Sequence, residues 1–117
     1  MSEFEYEIDD SKVTITRYRG AGGDVVVPDT IDGLPVTSIG AYAFRDCTGL
    51  TSITLPNSVT SIGDSAFERC VFLTSISLPD GCSIGEYAFE GCPAVITVRL
   101  RKSRCYIYFR DKADIRR

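Results

Sequence analysis

Cysteines at positions 47, 70 and 92 are the residues whose type and spacing first raise a question of chemistry; their intervals are 23 and 22 residues. A thiol attacks or binds metal as the thiolate, which needs a neighbouring base, cation or metal. The chain has no histidine, so Ser-His and Cys-His pairs are excluded within it. Zinc takes about four ligands that converge as a tetrahedron. No CxxC pair occurs, and thiols at a constant interval make a row, not a cage. Disulfides along such a row are within reach, because stacked strands lie about 5 Å apart, but parallel side chains do not face one another. The preferred reading is three small buried hydrophobes. Cys82 and Cys105 fall outside the interval, and either one, if exposed, is a place for oxidative cross-linking.

The other reactive groups point away from catalysis. Asp46, Asp64, Glu68, Glu86 and Glu90 sit at turn positions that recur, which predicts solvated carboxylates and no acid–base pair. Gly20-Ala21-Gly22-Gly23 is not followed by Lys-Ser/Thr, so it is no phosphate loop. No catalytic residue, metal site or cofactor is expected, and the chain reads as a non-enzyme.

What positions these groups is a repeat. Val36–Pro56 aligns with the segment from Val59 to Pro79, and then with the segment from Ser83 to Leu100. Phe44 returns as Phe67 and Phe89. Leu50, Ile53 and Leu55 return as Leu73, Ile76 and Leu78, then as Val95, Val98 and Leu100. Ile53 and Leu55, two apart, predict a short strand with an inward face, with Ser52 and Thr54 outward. Pro56 ends it for want of a donor. Val59 and Ile62 make a second inward pair, Gly63 turns the chain, and Ala66-Phe67 is expected to open a helical turn. One coil cannot bury its apolar side alone, so the coils must stack. The expectation is an α/β leucine-rich-repeat solenoid, right-handed and β-rich, of about three 22–23-residue coils.

The run Ile-Gly-x-x-Ala-Phe-x-x-Cys-x-x-Leu-x-x-Ile-x-Leu-Pro resembles the BspA-like leucine-rich repeats. The lead-in through Val25-Val26-Val27-Pro28 and Ile31-Asp32-Gly33-Leu34-Pro35 is similar to the start of such arrays. The resemblance covers about residues 4 to 100. It implies a solenoid with roles in adhesion or partner binding, often at a cell surface, and implies no catalytic activity.

Three parts follow. Residues 1–35 read as an N-terminal cap and lead-in strand, 36–100 as the repeats, and 101–117 as a C-terminal strand and basic tail. Phe4, Tyr6 and Ile8 alternate with glutamates, and Val13 and Ile15 with threonines, around Asp9-Asp10-Ser11-Lys12. That is a hairpin with one apolar face, suited to cover the first coil. At the other end Cys105-Tyr106-Ile107-Tyr108-Phe109 is strongly β-prone. Either it folds back and caps the stack, or it pairs with a second molecule as an open edge. Tyr106, Ile107, Tyr108 and Phe109 are therefore the candidate self-association residues, and a homodimer is the alternative function.

Outward strand positions form three rows: Ser52/Ser75/Thr97, Thr54/Ser77/Arg99 and Pro56/Pro79/Arg101. The concave face of the stack is the expected binding surface. Its candidate contacts are Ser52, Thr54, Ser75, Ser77, Thr97, Arg99 and Arg101, with the two arginines as anchors. The expected partner is a protein or a glycan. Serine and threonine also simply suit a twisted sheet, and that plainer reading stands beside the functional one.

Charge is divided unevenly. Residues 1–98 carry 14 acidic and 5 basic side chains, and residues 99–117 carry 2 acidic and 8 basic, for a net −3. A basic tail on an acidic body attracts acidic partners or is merely solvated. Aromatics among Arg101, Lys102, Arg104 and Arg110 are the sole argument for nucleic acid, which is not expected. Met1-Ser2-Glu3-Phe4-Glu5 is acidic where a leader would be basic, and no apolar run approaches a membrane span. The expectation is a cytoplasmic chain if complete, or a piece of a longer surface protein.

Overall fold

A computed structural model describes residues 3–93, 95–100, 105–109 and 114–116; beyond residue 93, Thr97 alone is described at side-chain level. Arg101 lies outside the described residues.

The chain begins with β1 (Phe4–Asp9) and β2 (Lys12–Tyr18), an antiparallel hairpin. Next come β3 (Gly23–Val26), β4 (Thr30–Ile31) and β5 (Leu34–Ile39). Each later coil adds one strand to each of two sheets. The first sheet takes β7 (Ser61–Ile62) and β9 (Ser83–Ile84), in the order β1-β2-β5-β7-β9, with β4 beside β5. The second takes β6 (Leu50–Thr54), β8 (Ser75–Leu78) and β10 (Val95–Leu100). It then closes with β11 (Cys105–Phe109) and β12 (Asp114–Arg116), in the order β12-β11-β10-β8-β6-β3. Successive coils pair in parallel, as a solenoid requires, and β10-β11 and β11-β12 pair antiparallel.

The α component of the sequence-based expectation is wrong: the described residues contain no helix. The segment around Ala66-Phe67 is a chain of tight turns, and its backbone shows why. Tyr42 and Asp46, then Ser65 and Arg69, then Tyr87 and Gly91 all have positive φ. A right-handed helix cannot run through residues in that region. The amides also divide their bonds. Ala43 and Arg45 donate back to Gly40 and Tyr42 within their own turn. Tyr42, Phe44 and Asp46 donate to the carbonyls of Asp64, Ala66 and Glu68 on the next coil, at 3.1, 2.7 and 2.8 Å. Ser65, Phe67 and Arg69 repeat this toward Glu86, Ala88 and Glu90. A helix would keep these donors to itself; here they tie coils together.

The core lies between the sheets and this turn arm. Ile39, Ile62, Ile53, Ile76, Leu50, Leu73 and Val59 are all buried. The phenyl rings form one stack, with centroids 5.1 Å apart for Tyr18–Phe44, 5.0 Å for Phe44–Phe67 and 5.5 Å for Phe67–Phe89. The hairpin continues it, since the Phe4 ring lies 5.5 Å from that of Tyr18. Pro56 and Pro79 are buried, not outward as their row position suggested. They follow Leu55 and Leu78 at the corner where the chain leaves the sheet, and a ring without a donor is stable in an apolar corner.

Gly63 does not owe its place to a left-handed turn. A Cβ there would lie 2.6 Å from the Ala41 nitrogen and 2.8 Å from the Gly40 carbonyl carbon. Coils approach so closely at Gly63 and Gly85 that no side chain fits between them, and at Gly40 a Cβ would lie 3.0 Å from the Ile15 carbonyl oxygen.

Candidate functional site

The parallel register aligns the outward rows as sequence alignment predicts. Ser52 pairs with Ser75, which pairs with Thr97; Thr54 pairs with Ser77, which pairs with Arg99. A shallow groove of about 300 Å³ crosses these strands, lined by Ser52, Thr54, Ser75, Ser77 and Thr97 with Ile53 and Ile76. Five of the seven predicted contacts thus share one groove. Arg99 is placed by backbone register, and Tyr106, Ile107, Tyr108 and Phe109 likewise by their strand, β11.

Sequence reasoning missed one rung. β3 pairs with β6 so that Asp24 faces Ser52 and Val26 faces Thr54. The Asp24 carboxylate accepts from the Ser52 hydroxyl at 2.7 Å and from that of Thr51 at 3.3 Å. β3 therefore adds a carboxylate beside the groove, already engaged with one of the predicted contacts. Val26 extends the other row and is 68% exposed. The signal was present: Val25-Val26-Val27-Pro28 has the outline of Ile53-Thr54-Leu55-Pro56, without its leucines.

Four of the five thiols are described at side-chain level, and none of the four forms a disulfide among the described residues. Cys70 and Cys92 are buried, and each donates to the Phe carbonyl one coil earlier, at 3.0 Å to Phe44 and 3.0 Å to Phe67. Hydrogen bonding with Cys92 and burial together hold the Cys70 thiol far above its ordinary range. Burial also raises Cys47, against a smaller opposing pull from Arg17, and it raises Cys82. Cys47 and Cys82 are half-buried. Cys47, Cys70 and Cys82 are thus all shifted away from the low pKa of a reactive thiol.

Among the turn-arm acids, three have partners, the first being Asp46, 3.6 Å from Arg69 of the next coil. Asp64 accepts the Glu86 amide of the next coil at 2.8 Å. Glu68 stands 3.1 Å from Arg45 Nε. These three contacts join one coil to the next.

A coil of two strands and a turn arm, with Phe and Cys at fixed places, is a known repeat. The family model described as BspA type leucine rich repeat region (6 copies) matches residues 27–110. The chain belongs to the BspA-type leucine-rich repeat family. Its fold is similar to that of a leucine-rich repeat protein of T. pallidum, at 42% identity and a TM-score of 0.73, over 76% of this chain and 43% of that one. A leucine-rich cell surface protein of Faecalibacterium prausnitzii is 30% identical, with a TM-score of 0.68, over 78% of this chain and 27% of that one. A leucine-rich repeat protein of Bacteroides ovatus is 29% identical, with a TM-score of 0.64, over 86% of this chain and 36% of that one. This chain spans less than half the length of each of the three. Among curated proteins none matches it. Leucine-rich repeats are interaction repeats, whose stacked strands present one extended surface.

Proposed function

We propose that the chain is a non-catalytic interaction module, and that its second sheet takes a protein or glycan partner across the strands β3, β6, β8 and β10. The observation that carries this reading is the groove along Ser52, Thr54, Ser75, Ser77 and Thr97. Short hydroxyl side chains on a rigid ladder offer donors and acceptors with little side-chain entropy to lose. Asp24 gives one end a negative charge, and Arg99, by its register on β10, belongs to the opposite end. A ligand crossing the sheet would be oriented by that difference. The likeness to a bacterial cell surface protein supports a role at a cell surface.

Charge reversal tests the anchors. In a glycan and extracellular-matrix protein array, the combined Arg99→Glu and Arg101→Glu variant loses at least about tenfold in affinity for any partner the parent chain captures. Unchanged affinity moves the contact surface off this sheet.

The alternative is a self-assembling chain that pairs through residues 105–109. In the fold, β11 already has β10 on one side and β12 on the other. Pairing through β11 would require β12 to leave, which lowers the support for this reading.

A further inference from the structure

A second cleft, of about 330 Å³, opens at the N-terminal end of the stack and owes nothing to the groove. Arg17, Tyr18 and Arg19 line one wall, Gly20-Ala21-Gly22 crosses it, and Arg45 to Leu50 form the other wall. Residues 1–98 hold only five basic side chains against fourteen acidic ones. Three of the five line this cleft, and a fourth, Arg69, reaches Asp46 on its wall at 3.6 Å. Glu5, Asp46 and Glu68 pair with Arg19, Arg45 and Arg69, so the cluster keeps a single cation in excess, Arg17, in an otherwise acidic body.

The donors here are only partly used. Arg17 has no ion-pair partner among the described residues. Arg19 meets Glu5 at 2.8 Å through Nε. Arg45 Nε lies 3.1 Å from Glu68 yet is buried and not aligned to donate to it. The Arg45 guanidinium also lies over the Tyr42 ring, 5.4 Å from its centroid, and its Nε is 3.7 Å from Asp46. Tyr18 is buried, and its hydroxyl accepts from the Gly22 amide at 3.0 Å. The phenolic proton itself has no acceptor among the described residues. Gly20 lets the chain pass over the ring, since a Cβ there would lie 2.5 Å from the phenol carbon Cζ. Guanidinium forks and a hydroxyl donor suit a carboxylate.

The cleft is continuous with a strand edge. Gly22 leads directly into β3, the outermost strand of its sheet. An extended peptide can add hydrogen bonds along such an edge; a sugar acid cannot continue the ladder. We propose that the cleft seats the carboxylate of an acidic side chain from an extended peptide, whose backbone runs along the outer edge of β3.

The test is amide chemical-shift mapping at low ionic strength with a blocked tri-glutamate peptide. Shifts are expected at Gly20, Gly22, Gly49 and along residues 23–26, and a tri-glutamine peptide is expected to give none. Arg17→Gln, an exposed change that leaves the core intact, weakens the affinity about tenfold, and Tyr18→Phe weakens it less. The Arg99→Glu and Arg101→Glu variant binds tri-glutamate as the parent does, so the two surfaces fail or stand separately. Shifts confined to the groove residues 52–54 and 75–77, or no loss in Arg17→Gln, would overturn the site. Equal binding of tri-galacturonate would overturn the peptide as its ligand.

Discussion

At the residue scale, the cysteine row shows how a reactive group becomes a structural one. Each buried thiol donates to a phenylalanine carbonyl of the preceding coil. It is a second donor to a carbonyl that already accepts the Cys47 or Cys70 amide at 3.2 Å, and it comes at the cost of a group that ionises in the unfolded chain. The consequence for pH follows from the raised pKa of Cys70, whose ordinary value is 9.0. Its contribution to stability is fully present below that value. Above about pH 9 the unfolded thiol loses its proton and the native thiol retains it. Unfolding free energy then falls by about 1.4 kcal/mol per pH unit from this residue. Urea titrations at several alkaline pH values should show that slope, reduced in Cys70→Ala; an equal slope in both chains would assign it to other groups.

At the scale of the element, the turn arm decides the shape of the coil. It carries two positive-φ residues per coil and lends alternate amides to its neighbour. Its tolerance for substitution is therefore uneven. Gly63→Ala puts a methyl group against the backbone of the previous coil and costs about 1–3 kcal/mol. Tyr87→Gly removes a 68% exposed side chain at a φ of 58°. Relief of left-handed strain offsets the added freedom of the unfolded chain, so it stays within about 1 kcal/mol of the parent. Chemical denaturation of the two variants compares them directly. A neutral Gly63→Ala would mean that the coils can separate there without loss.

At the scale of the whole molecule, stacking leaves ends, and the ends are closed differently. The hairpin lays Phe4 and Tyr18 on the phenyl stack at the start. At the far end of the second sheet, β11 and β12 continue the array by antiparallel addition. The outer edge there belongs to β12, a strand of three residues, and short edges recruit partners poorly. A monomer is the expected mass by light scattering after size exclusion, with and without reductant. A dimer in both conditions that Ile107→Lys abolishes would make self-assembly the leading function.

The sequence by itself determined the coil length, the stacked Phe and Cys rows, the hairpin and the residues that line the sheet groove. These were legible because stacking forces every coil to reuse the same positions, so each of Phe44, Phe67 and Phe89 vouches for the others. The tertiary structure alone decided three things. The turn arm is not helical, since its amides bond to the next coil, and local propensity carries no information about a neighbour in space. Asp24 and Val26 extend the outward rows by one strand, although that strand lacks the leucines that mark the later copies. Arg17, Arg19 and Arg45 meet in one cleft because the hairpin folds back beside the first coil, a closeness across 26 positions that no pattern along the chain expresses.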